Sequence, residues 1–168
     1  MRRLLSILLI GAGALLVLAT GGSLYFGDRI GQPARVPLPK QIADLPLSAE
    51  LAGTQALEEF EMLHNQRFPL TSGSVGIYGE GQAKLWIAGA PLGFMAANLV
   101  GAMRDRIAEG RSPFTAVGQV RDSRRAVYEL EGMGQKHFYF QSKNLVIWLA
   151  ADPAVADVAI HQVLEAYP

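Results

Sequence analysis

The strongest constraint on this chain is a stretch of 24 residues, 4–27, that carries no charge and follows directly on Met1-Arg2-Arg3. Sixteen of the 24 are apolar. As a helix the stretch would be about 36 Å long at 1.5 Å per residue. A hydrocarbon core is roughly 30 Å thick, so the run is long enough to span a bilayer with some tilt. Tyr25 and Phe26 stand near its end, at the depth where aromatic side chains favour the membrane interface.

Two readings of this segment compete. In one it is a cleaved secretory signal, with Arg2 and Arg3 as the charged leader and a small-residue site near Ala19-Thr20-Gly21. In the other it is an uncleaved signal anchor. The apolar run exceeds the usual signal core of about 7–15 residues, which favours the anchor. Both readings place the rest of the chain outside the cytoplasm, as a single-pass membrane protein if the segment is an anchor and as a secreted one if it is cleaved, because a short basic N-terminus stays on the cytoplasmic side. Arg29, Arg35 and Lys40, on the far side of the run, pull against that orientation. The lipid bilayer is thus the first expected partner, engaged through residues 4–27.

Residues 28–39 follow as a tether. Pro33, Pro37 and Pro39 fix backbone torsions and remove donors, which predicts an extended, polyproline-like stretch. The domain is expected over 40–168. From Val36 onward there are 11 Lys+Arg against 14 Asp+Glu, a net charge of −3. That balance excludes a dedicated nucleic-acid binder, which needs a basic footprint. The chain has no cysteine, so disulfides, thiolate metal sites and catalytic thiols are excluded too.

Periodicity over the domain predicts helix, two strands, helix, four strands, helix. The helices are expected at 55–65, 91–110 and from Asp152-Pro153 to 166, and the strands at 74–78, 83–88, 114–121, 125–133, 136–141 and 145–150. Thr54 is the expected cap of the first helix. Short connections between consecutive strands imply antiparallel pairing. The expected class is therefore α+β, an antiparallel sheet of about six strands with three helices packed on it.

Three histidines invite a search for chemistry. Alternation along 134–141 puts His137 and Tyr139 on one face of a strand and Phe138 and Phe140 on the other. Trp86 and Trp148, on neighbouring strands, are candidates to join His137 and Tyr139 in a binding face. Asp157, His161 and Glu165 fall four residues apart on the last helix. They make either a solvated stripe of i,i+4 pairs or half of a metal site. Glu58-x-x-Glu61-x-x-His64 holds a single E-x-x-H step, which suits the helix dipole without any metal. Gly73-Ser74-Val75-Gly76 lacks the spacing of a nucleophile elbow, and the glycines at 76, 79 and 81 read as a hairpin rather than a phosphate loop. Arg121, Arg124 and Arg125 read as a solvated hairpin tip.

No cofactor is implied. The leading expectation is a non-catalytic, membrane-anchored binding or assembly module that engages another envelope protein. The alternatives are a small hydrolase-like envelope enzyme around His137 and Tyr139, with Glu129 as its carboxylate, or a metal-binding domain on the last helix.

Overall fold

The structure is a computed structural model that describes residues 32–120 and 125–168. The segment 1–27 read as a transmembrane helix lies outside these residues. Among the described residues no helix is long and apolar enough to cross a membrane.

The elements run β1 (Gln41–Ile42), β2 (Leu45–Ala52), α1 (Thr54–His64), β3 (Ser72–Tyr78), β4 (Ala83–Gly89) and α2 (Gly93–Ala108). They continue with β5 (Thr115–Val120), β6 (Val127–Gly132), β7 (Gln135–Ser142), β8 (Leu145–Ala151) and α3 (Ala156–Ala166). The fold is α+β. One eight-stranded sheet has the order β1-β2-β3-β4-β8-β7-β6-β5, with all pairs antiparallel. The sheet exceeds the expected six strands by β1 and β2. Their sequence hides them, because Pro46 interrupts the run and proline is tolerated only at a sheet's margin. There it pairs with Gln41 at the end of the two-residue β1.

Helices cover both faces of the sheet. On the front, Ala159, Ile160 and Val163 of α3 pack against Leu85, Phe138, Phe140, Ile147 and Leu149. On the back, Ala96 and Val100 of α2 meet Leu130, Tyr139 and Val146, while Ala56 and Phe60 of α1 meet Val75. A strand covered on both sides loses its polar alternation, and β8 (LVIWLAA) has no polar residue apart from the indole N–H of Trp148. Burying each large side chain of this kind stabilises by about 1.5–3 kcal/mol.

Helix starts differ in detail from the expected caps. Thr54 is the first helical residue of α1, and Gly53 takes the cap position with φ 58°. Only glycine suits that spot: the torsion is left-handed, and a Cβ there would lie 2.9 Å from the Pro33 carbonyl oxygen.

Residues 34–39, the second half of the expected tether, lie against the domain as a strap. Ala34 forms a parallel bridge to Ser72, with the Ala34 N–H donating to the Thr71 carbonyl at 2.9 Å and the Gly73 N–H to the Ala34 carbonyl at 3.0 Å. The strap then crosses the front face. Val36 is buried, its N–H donates to Ser74 Oγ at 3.0 Å, and the Ser74 hydroxyl donates to its carbonyl at 2.7 Å. Tyr78 Oη donates to the Pro39 carbonyl and Tyr167 Oη to that of Pro37, so strand and C-terminal tail both hold it down.

Candidate functional site

The register brings the sequence-predicted aromatic residues onto one row of the back face. Tyr128, Tyr139 and Trp148 are Cα partners across β6, β7 and β8, and Trp148 is in turn partnered by Trp86 on β4. The first three rings stack, with centroids 4.8 Å apart for Tyr128–Tyr139 and 5.3 Å for Tyr139–Trp148. Phe114, just before β5, closes over His137 and Trp148 at 4.6 and 5.1 Å. Tyr139, 1% exposed, and the adjacent His137, 4% exposed, are interior, whereas Tyr128 and Trp148 are half-buried beside α2. Burial pushes the Tyr139 hydroxyl up to about 12, with nearby Tyr128 adding to the effect.

His137 is held at both ring nitrogens. Trp148 Nε1 donates to Nδ1 at 3.2 Å, which leaves Nε2 to donate to the Gly132 carbonyl at 3.0 Å. This arrangement requires the neutral ring. Burial lowers the pKa of His137, and the bond to Gly132 opposes that only in part. Neither partner is a carboxylate or a hydroxyl. Glu129, grouped with His137 in the hydrolase expectation, is on the opposite face, where its carboxylate lies 3.6 Å from Lys136 Nζ. The remaining member of the row, Trp86, is half-buried against the cluster of Ala56, Phe60, Leu70 and Val75, with Lys84 Nζ 4.6 Å from its ring centroid. Its Nε1 is the one buried side-chain polar atom without a hydrogen-bond partner among the described residues.

The other candidates are separate and local. Asp157, His161 and Glu165 all lie on the exposed side of α3, and Asp157 accepts from Lys136 Nζ at 3.1 Å. Among the described residues no group of three or more His, Asp or Glu side chains is placed to hold a metal ion. His64 Nδ1 is 2.9 Å from the Phe60 carbonyl, and its ring meets the edge of Phe68. Glu61, from the same E-x-x-H step, faces Arg67. Of the basic cluster, Arg121 and Arg124 lie outside the described residues. Arg125 is not a solvated tip residue: its guanidinium donates to the Tyr167 and Leu164 carbonyls at the end of α3 and lies over Phe140.

The surface that stands open is one that sequence reasoning passed over. β5 is the last strand of the sheet, and among the described residues nothing pairs with its outer edge. Its sequence, TAVGQV, carries no charge and no proline, and all but Val120 are exposed. A bulge between Ala116 and Gly118 takes Val117 out of the ladder, and Val117 is 53% exposed. The legible signal was composition: an uncharged strand with no large apolar residue to bury. The other margin is guarded. Pro46 lies on β2, and Arg35 grips Glu50 in a two-point ion pair at 2.7 and 2.8 Å. A shallow hollow of about 230 Å³ lined by Pro69, Ala90, Met95, Asn98 and Leu99 opens beside α2. No protein-family model matches the chain, and comparison with curated proteins and with solved structures finds no match for it.

Proposed function

We propose that this chain is a membrane-anchored, non-catalytic binding module. Residues 4–27 hold it in the bilayer, and its domain, outside the cytoplasm, docks an extended segment of another envelope protein along β5. The observation that supports this reading is the open, uncharged edge of β5. Sheet edges offer a row of backbone donors and acceptors to an incoming strand, and proteins that avoid such pairing place lysine, proline or a covering element there. β2 has such protection, and among the described residues β5 has none beyond its bulge. The exposed Val117 gives an added strand a side chain to pack against.

The test is site-specific photocrosslinking in intact cells with the full-length protein. A photoreactive residue at Gln119 is expected to give one discrete adduct in the membrane fraction. The adduct should disappear when Val117→Lys charges the edge. A probe at Ser48 on β2 should give none. An adduct unaffected by Val117→Lys, or one equally strong from Ser48, would remove β5 as the docking edge. Protease added outside sealed cells should digest the domain; a domain protected there would overturn its placement.

A further inference from the structure

The anchor reading and the fold together say which way the domain faces. We infer that the end of the sheet at which the chain joins the fold rests on the bilayer surface. Leu92 and Phe94 at the start of α2 then contact lipid, with Lys143 among the headgroups. This inference rests on the proposal that residues 4–27 are an anchor.

Chain length limits the distance. From Gly27 to Pro33 there are only the residues 28–32, and so short a stretch reaches at most about 20 Å when fully extended. At Pro33 the chain is already against the domain, its carbonyl beside Gly53, and at Ala34 it is bonded to β3. The sheet end beginning with Ser72 therefore lies close to the membrane whatever path residues 28–32 take.

The same end carries the start of α2. Ser72, Gly89, Leu145 and Ser142 form one register row across β3, β4, β8 and β7. With strands about 4.8 Å apart, the row is roughly 15 Å wide. Beyond Gly89, the Ala90 N–H donates to the Asn144 carbonyl at 2.9 Å. The Gln141 side-chain amide then ties Gly93 to Lys143 through their carbonyls at 2.8 and 2.6 Å. Leu92, Phe94 and Lys143 thus share one end of the molecule.

Composition along α2 changes with distance from this end. Residues 93–103 carry no charge, whereas Arg104, Asp105, Arg106, Glu109 and Arg111 crowd the far end. A helix with a water-facing side normally carries charged or polar residues there. Here Leu92 is 43% exposed and Phe94 64% exposed on the uncharged half, next to the apolar hollow at Met95 and Leu99. Apolar side chains with an exposed lysine beside them match a lipid interface, where the stem packs on acyl chains and the amine meets phosphate. Met133 is exposed as well, but at the β6–β7 turn on the opposite end.

The full chain has no cysteine, so single cysteines can report position. Phe94→Cys, Glu109→Cys and Met133→Cys would each carry an environment-sensitive fluorophore. Each protein is reconstituted in vesicles of phosphatidylcholine and phosphatidylglycerol at roughly 3:1, where an anionic surface attracts nearby lysine. Shallow spin-labelled lipid should quench most of the signal at position 94 and little at 109 or 133. Lys143→Glu should reduce the quenching at 94. Co-flotation with the vesicles but no preferential quenching at 94 overturns this inference and leaves the anchor standing. A blue-shifted but unquenched label at 94 means that protein covers the site, which also overturns it. Failure to float with the vesicles removes the anchor itself.

Discussion

The imidazole of His137 accepts from an indole N–H at one nitrogen and donates to a backbone carbonyl at the other. A second proton on the ring would set N–H against N–H at Trp148. The free ring titrates near 6.5, and burial lowers that value in the folded chain. The folded state therefore binds fewer protons than the unfolded state just below pH 6.5. The stability it contributes is complete above that value and is lost as pH falls toward the lowered pKa. Thermal unfolding of the full chain should accordingly shift to lower temperature between about pH 7 and 5. His137→Gln should be less stable at pH 7 and show a smaller decline on acidification. An unchanged decline would assign it to other groups. Much of this site was legible at the residue scale, since alternation alone groups His137 with Tyr139. What could not be read was its cover. Phe114 and α2 arrive from distant parts of the chain, and no local pattern says that they close over this face. Glu129 shows the same limit: its carboxylate suits chemistry with His137, but its register opposite Phe138 puts it on the other face.

Among the elements, the strap is the one whose local sequence fits two different structures. Prolines at 33, 37 and 39 do predict extended backbone, but extended backbone with few donors also suits a segment laid across a sheet. What binds it is partly one hydroxyl. Ser74 Oγ is buried and serves both the N–H and the carbonyl of Val36. Ser74→Ala leaves those groups without partners, so it should destabilise the domain by about 1–3 kcal/mol. Chemical denaturation would measure this, and protease should then cut near Val36 in the folded variant but not in the parent. Helices were easier to read than margins. Helical periodicity announces α2, whose Met95, Leu99, Met103 and Ile107 pack on the sheet, whereas β1 has only two residues and β2 is broken by Pro46. Short or proline-containing edge strands are recognised by the neighbour they pair with, and that neighbour is not in the local sequence.

At the scale of the whole molecule, the order of helices and strands was legible and their layering was not. Antiparallel meanders follow from short turns, but the side to which each helix returns depends on the crossing between β4 and β8. Those strands lie more than fifty residues apart and pair along their full length. With both faces covered, the margins and ends of the sheet are what the domain presents. The C-terminal tail is one fastening of that assembly: Tyr167 Oη donates to the Pro37 carbonyl at 2.6 Å, and Ser142 Oγ to the carbonyl of Pro168. Tyr167→Phe should lower stability by about 0.5–1.5 kcal/mol, with an unaltered circular dichroism spectrum. The strap also has a mechanical consequence. Any tension on the N-terminal segment enters the domain at Ala34 and runs along two backbone hydrogen bonds to Thr71 and Gly73, at the start of β3. It passes next to Ser74, and through Pro37 and Pro39 to the chain's last residues and to Tyr78. A pull on one end of the polypeptide is thereby shared with the other, and the first thing to yield is a clasp six residues long, before the sheet itself bears the load.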